Sequence, residues 1–144
     1  MHFNFRLEKV LNYKKTIEDL KKSQYGIVQQ KLNKEENRLD DYVKFKKNLL
    51  NEKDLSSIKT SVGNLAMYSN CINHVNTRIK KQEEVVTKVQ KELEETKEEM
   101  VIAVKEKKIF EKLKENEYER YLYEIKKEEE KQNDAIVNYK VSTQ

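Results

Sequence analysis

The chain has 144 residues, 39% of them charged and 36% hydrophobic, with no proline, no tryptophan and only 2 glycines. That balance favours long helices in a coiled coil over a globular core, and a layer of helices has no thick interior to enclose a catalytic pocket. The 30 Lys and Arg against 26 Asp and Glu leave a formal charge of +4, with Lys and Glu alternating at short spacing. This reads as solvated helix faces and not as the clustered basic footprint of a double-stranded nucleic-acid binder.

One cysteine, Cys71, excludes an internal disulfide and fits a reducing compartment. No apolar run approaches the roughly 20 residues needed to span a bilayer. The opening Met1 to Arg6 lacks the continuous apolar core of a secretory signal, so the expected location is cytoplasmic.

The first periodic segment steps by four and three through Phe3, Leu7, Val10, Lys14, Ile17, Lys21, Gln24 and Val28. It resumes as Leu32, Glu35, Leu39, Tyr42, Lys46 and Leu49 after a slip of one residue, which adjusts a supercoil without ending it. The spacing predicts one helix over about 3–52. Gly26 lies inside it and costs about 1 kcal/mol relative to alanine. The next stretch is rich in Asp, Ser, Thr, Gly and Asn, residues whose short polar groups favour turns and caps, and it predicts a turn over about 53–60.

The second segment is more regular. Leu65, Tyr68, Ile72, Val75, Ile79, Gln82, Val86, Val89, Leu93, Thr96, Met100, Ala103, Lys107 and Phe110 alternate steps of three and four without a break. A 3.5-residue repeat keeps one stripe facing a partner helix, so this is a coiled-coil seam in which Gln82, Thr96 and Lys107 are the polar exceptions. It predicts a second helix over about 61–139.

The two seams mirror each other about the turn. Leu49 is expected to face Leu65, Tyr42 to face Ile72, Leu39 to face Val75, Glu35 to face Ile79, Leu32 to face Gln82 and Phe3 to face Phe110. The fold class is therefore all-α: a single-domain, two-helix antiparallel coiled-coil hairpin with a longer second helix. Residues 111–144 would overhang the first helix. A lone helix is marginal in water, so the overhang is either solvated by Lys and Glu or finishes folding inside a partner, with Tyr118, Tyr121, Leu122 and Ile125 as anchors.

Chemistry finds little purchase. Cys71 and His74 are two potential metal ligands where structural zinc needs four. No phosphate-cradling glycine motif is present, and no cleft is expected around a nucleophile, so no enzyme, cofactor or metal is expected. Near the turn, Phe45 and Cys71 fall outside the seam, close to Tyr42, Val75 and the arginines Arg38 and Arg78. Exposed aromatics beside arginine are common anchors of protein docking.

The opening Phe3-x-Phe5-x-Leu7-x-x-Val10-Leu11-x-Tyr13-Lys14 resembles the start of the flagellar FliJ family. The stretch Tyr68 to Ile79 is similar to the one opening that family's second helix, and the length and single turn agree. The resemblance implies a component of the flagellar type III export apparatus, like the central stalk of a rotary ATPase, peripheral to the inner face of the cell membrane. Its implied partners are the hexameric export ATPase FliI, the cytoplasmic domain of the export gate protein FlhA, and export chaperones. No nucleic acid and no membrane insertion are implied. The positions matching the gate-contact region are Leu39, Tyr42, Phe45, Cys71, Val75, Arg78 and Gln82. The ATPase would be met by Phe3, Phe5 and Arg6 with Tyr118, Tyr121, Leu122 and Ile125. A prefoldin-like or secretion-chaperone hairpin is the alternative, although prefoldins multimerise through strands that this sequence does not offer.

Overall fold

A computed structural model describes residues 2–56 and 62–143. They form two helices, α1 (Glu8–Ser56, 49 residues) and α2 (Val62–Thr143, 82 residues), packed against each other as an all-α helical hairpin. No strand occurs among the described residues. Half of the turn expected over 53–60, residues 57–60, lies outside them, while residues 53–56 belong to α1.

The absence of proline lets the helices run on, and Lys, Glu and Leu lose little rotamer freedom in them. The threonines are accommodated locally: the Thr16, Thr77 and Thr87 hydroxyls donate to the carbonyls of Asn12, Asn73 and Glu83.

The chain divides into two compact units, one of residues 1–20 and 101–144, the other of residues 21–100. In the first unit the buried side chains are Phe5, Leu11, Ala103 and Glu18. Its helix begins at Glu8, not at Phe3, with the Glu8 N–H donating to the Phe5 carbonyl at 3.1 Å. The reason lies in the side chains of Phe3 and Phe5. Two residues apart, they would point to different faces of a helix, whereas non-helical backbone lets both rings turn inward. Phe5 is 4% exposed and Phe3 packs on α2 tyrosines.

In the second unit Val28, Ile72, Val75, Val86 and Val89 form the apolar core, and Gln82 is buried with them. Every residue of the expected α2 seam, in both units, is buried or half-buried. The α1 seam differs from expectation. Its most enclosed line is Leu11, Lys14, Glu18, Lys21, Tyr25, Val28, Leu32, Glu35, Leu39 and onward, which alternates three and four with no slip. Val10, Ile17 and Gln24 are half-buried one position to the side. Glu18, and not the apolar Ile17, is the seam residue because Lys107 meets it there.

The cross-helix register also differs. Phe3 was expected opposite Phe110 but meets Tyr118 and Tyr121 in the first unit. In the second unit Gln82, expected opposite Leu32, bonds Glu35 instead. At Phe3 and at Gln82 the pairing is therefore offset along α2, at Phe3 by about one heptad. A heptad seam superimposes on itself after a shift of seven residues, so the apolar pattern leaves this choice open and the polar seam contacts settle it.

Candidate functional site

Each of the two units carries one candidate surface. In the first, the chain's opening segment lies against α2. The Phe3 ring meets Tyr118 edge-on at 5.2 Å and Tyr121 tilted at 5.5 Å, while the two tyrosines stack at 6.4 Å. Such offset and edge-to-face geometry matches the positive ring edge to the negative ring face. Beside it, Lys114 Nζ pairs with the Glu8 carboxylate at 2.9 Å. Arg6 is exposed, Leu122 is exposed, Ile125 is half-buried, and Phe5 is packed inside. Of the seven residues expected to meet the ATPase, the structure joins Phe3, Tyr118 and Tyr121 in one cluster and takes Phe5 out of reach.

The cluster also moves the start of the overhang. Lys114 pairs with Glu8, and Tyr118 and Tyr121 meet Phe3, so the part of α2 expected to overhang from 111 still carries contacts as far as Tyr121. From 126 to 143 every residue is exposed, including Ile136, Val137, Tyr139 and Val141. Their apolar side chains left in water make these four part of the candidate surface.

The sequence marks Lys107 as a polar seam residue without naming the acids that meet it. Lys107 Nζ lies 2.7 Å from Glu18 Oε2 and 3.7 Å from Glu111 Oε1. The hydrogen bond to Glu18 foremost, then the charges of Glu111 and Glu18, raise the Lys107 pKa above its ordinary value, against an opposing effect of burial. The detectable signal was Lys107 in an apolar seam, which calls for an acid at a facing seam position.

In the second unit, the residues expected to meet the gate separate into two groups. Val75 and Gln82 are buried, and Leu39 and Tyr42 are half-buried in the seam. Gln82 Nε2 donates to the Glu35 carbonyl at 2.9 Å and to its carboxylate at 2.6 Å, and the Arg38 guanidinium lies 3.7 Å from that carboxylate. Phe45, Cys71 and Arg78 are the exposed group. Each follows a seam residue by three (Tyr42, Tyr68 and Val75), so all three hold the same heptad position. In an antiparallel pair such positions on the two helices flank the seam on one side. The presented surface is thus an aromatic ring, a thiol and a guanidinium, with the other four residues supporting it from within.

No group of three or more His, Cys, Asp or Glu side chains that could hold a metal occurs among the described residues. None of the described helices is long and apolar enough to cross a membrane.

These features define a coiled-coil helical hairpin that exposes aromatic, apolar and charged side chains. The family of the flagellar FliJ protein matches residues 3–144, and the chain belongs to that family. Membership makes it a component of the flagellar export apparatus. No curated protein and no solved structure matches it.

Proposed function

We propose that this chain couples the export ATPase to the export gate, acting as a stalk. The surface around Phe3, Tyr118, Tyr121, Leu122 and Ile125 meets the FliI hexamer, with residues 126–143 completing their packing in that complex. The surface of Phe45, Cys71 and Arg78, backed by Leu39, Tyr42, Val75 and Gln82, meets the cytoplasmic domain of FlhA. Peripheral placement at the inner face of the membrane follows from that second contact, and export chaperones are further partners.

The observation that carries this reading is the state of α2 beyond Ile125. Eighteen residues, 126–143, stay helical and exposed while holding Ile136, Val137, Tyr139 and Val141 toward water. Isolated helices of that length are marginal, and amphipathic ones are commonly completed in a partner's groove. The aromatic cluster anchors the base of this segment. Tyrosine suits such a boundary because it offers a large contact area while tolerating water before binding.

The test uses the full-length chain with the cognate ATPase. Added chain should promote hexamer assembly and raise the hydrolysis rate, and Phe3→Ala with Tyr118→Ala should weaken both. An unchanged rate and no association with wild-type chain would refute the coupling role. Retained ATPase stimulation with lost FlhA binding in a Phe45→Ala, Arg78→Ala variant would separate the two surfaces.

A further inference from the structure

Beside its seam, the first unit carries a second stripe. On α1 the seam residues Leu11, Lys14 and Glu18 are preceded by Val10, Tyr13 and Ile17, and Leu20 continues the spacing. On α2 Ala103, Lys107, Phe110 and Lys114 are preceded by Ile102, Glu106, Ile109 and Leu113. Both sets step by three and four as a seam does, yet the hairpin covers neither. Tyr13, Leu20, Ile102, Ile109 and Leu113 are between 40% and 62% exposed, while Val10 and Ile17 are half-buried. In an antiparallel pair the positions that precede the seam fall on one flank in both helices. The Lys14–Glu106 ion pair, at 2.9 Å, crosses from helix to helix on that flank. The two stripes therefore make one apolar face, of a kind that marks an interaction site in a water-soluble chain.

The layout of this face fits a second copy of itself. The α1 stripe is centred on residue 15, and the α2 stripe between residues 107 and 108. The Lys14–Glu106 and Glu18–Lys107 ion pairs, at 2.9 and 2.7 Å, bracket that level and bring both centres to one height along the unit. A two-fold axis crossing the face there sets Val10 against Leu20, and Tyr13 against Ile17, of an antiparallel copy. The same axis sets Ile102 against Leu113, and Ile109 against Glu106, whose carboxylate Lys14 already holds. The next positions outward are polar at both ends: Arg6 and Gln24 on one stripe, Glu99 and Asn116 on the other. The axis exchanges these as well, polar with polar. A helix from another protein does not require the two stripes to share a centre. An isologous pair does, because a single axis must serve both.

From this arrangement we infer that two copies of the chain pair through this face as an antiparallel four-helix bundle, α1 on α1 and α2 on α2. The exposed apolar side chains offer on the order of 100 Å² each, so the pair buries on the order of 1,000 Å² of apolar surface, near the lower limit for a specific interface. Association through it is reversible and depends on concentration. The contact involves this chain alone and needs neither the ATPase nor the gate, so its failure leaves the coupling role untouched.

The experiment is sedimentation velocity of the full-length chain from low to high micromolar concentration. The wild type should shift from monomer to dimer and no further, since the two-fold axis closes the assembly. Leu20→Lys with Ile109→Lys should weaken dimerisation by about tenfold or more, because each places an unpaired charge in the contact. Both positions are exposed, so circular dichroism of the dilute variant should show the wild-type helix content. Chemical linkage reads the axis itself, in a Cys71→Ser background. Thr16 and Lys9 are exposed one heptad apart on the same side of α1. At the helical rise Thr16 stands about 3 Å along the axis from its counterpart and Lys9 about 18 Å, with the helices about 10 Å apart. A short bismaleimide should link Thr16→Cys to its counterpart and leave Lys9→Cys unlinked. A wild-type chain that stays monomeric at every concentration overturns the inference. So does undiminished dimerisation of the lysine variant, or linkage at Lys9→Cys as efficient as at Thr16→Cys.

Discussion

Glu18 Oε2 and Lys107 Nζ stand 2.7 Å apart across the two helices, each at a seam position where a coiled coil ordinarily holds an apolar side chain. The carboxylate side chain is 5% exposed and the ammonium side chain 21%. An ion pair in such a place is poor evidence of added stability, because desolvation offsets the attraction. Its better attested effect is to favour one register, since any other alignment leaves both charges without each other.

A double-mutant cycle tests this. Glu18→Leu or Lys107→Leu alone should lower the melting temperature, because each leaves the other charge in the seam without its cross-helix partner. The double variant should melt at or above the wild-type temperature, as apolar replacements of buried pairs often do. Additive losses in the double variant would show that the two side chains do not act as a pair.

The raised Lys107 pKa makes a statement about pH. A lysine whose folded pKa lies above the unfolded value of 10.5 contributes stability that is fully present below 10.5. That contribution is lost as pH rises through the folded value. Thermal melts should therefore show a loss in strongly alkaline solution that is smaller in Lys107→Met than in the wild type. Equal alkaline losses in the two proteins would remove Lys107 as a source.

Gly26 lies in α1 with ordinary negative backbone φ, and a Cβ built there meets nothing within 4 Å. The glycine thus serves no close approach and no turn. Gly26→Ala should stabilise the fold by about 0.5–1 kcal/mol through the entropy of the unfolded chain. Urea denaturation measures it, and a loss of stability would mean that the local packing has been misjudged.

Removing residues 126–144 should leave the aromatic cluster, α1 and the part of α2 up to Ile125 intact, since every described residue removed is exposed. Circular dichroism should show an unchanged unfolding midpoint and a lower total helical signal. Stimulation of the ATPase should fall sharply. Full stimulation by this truncated chain would place the ATPase contact elsewhere, for instance on the cluster alone.

Much of the molecule was legible in one dimension. The α2 seam from Leu65 to Phe110 is enclosed at each expected position, because a repeat of 3.5 residues is written directly in the order of residue types. The family likeness carried by Phe3 to Lys14 and Tyr68 to Ile79 extends over nearly the whole chain. Phe45 and Cys71, expected outside the seam, are exposed, while Val75 and Gln82 turn inward as seam residues.

By itself the sequence determined that this chain forms two long helices, which residue types line the α2 stripe, and to which family the chain belongs. Only the tertiary structure decided where one helix stands along the other, that Glu18 and not Ile17 lies on the seam line, and that Phe3 and Phe5 close onto α2 without joining a helix. The physical reason is that a repeating stripe constrains rotation about the helix axis but is indifferent to translation by a whole repeat. Position along the axis is set by particular polar and aromatic pairs, and those exist only when the two segments meet in space.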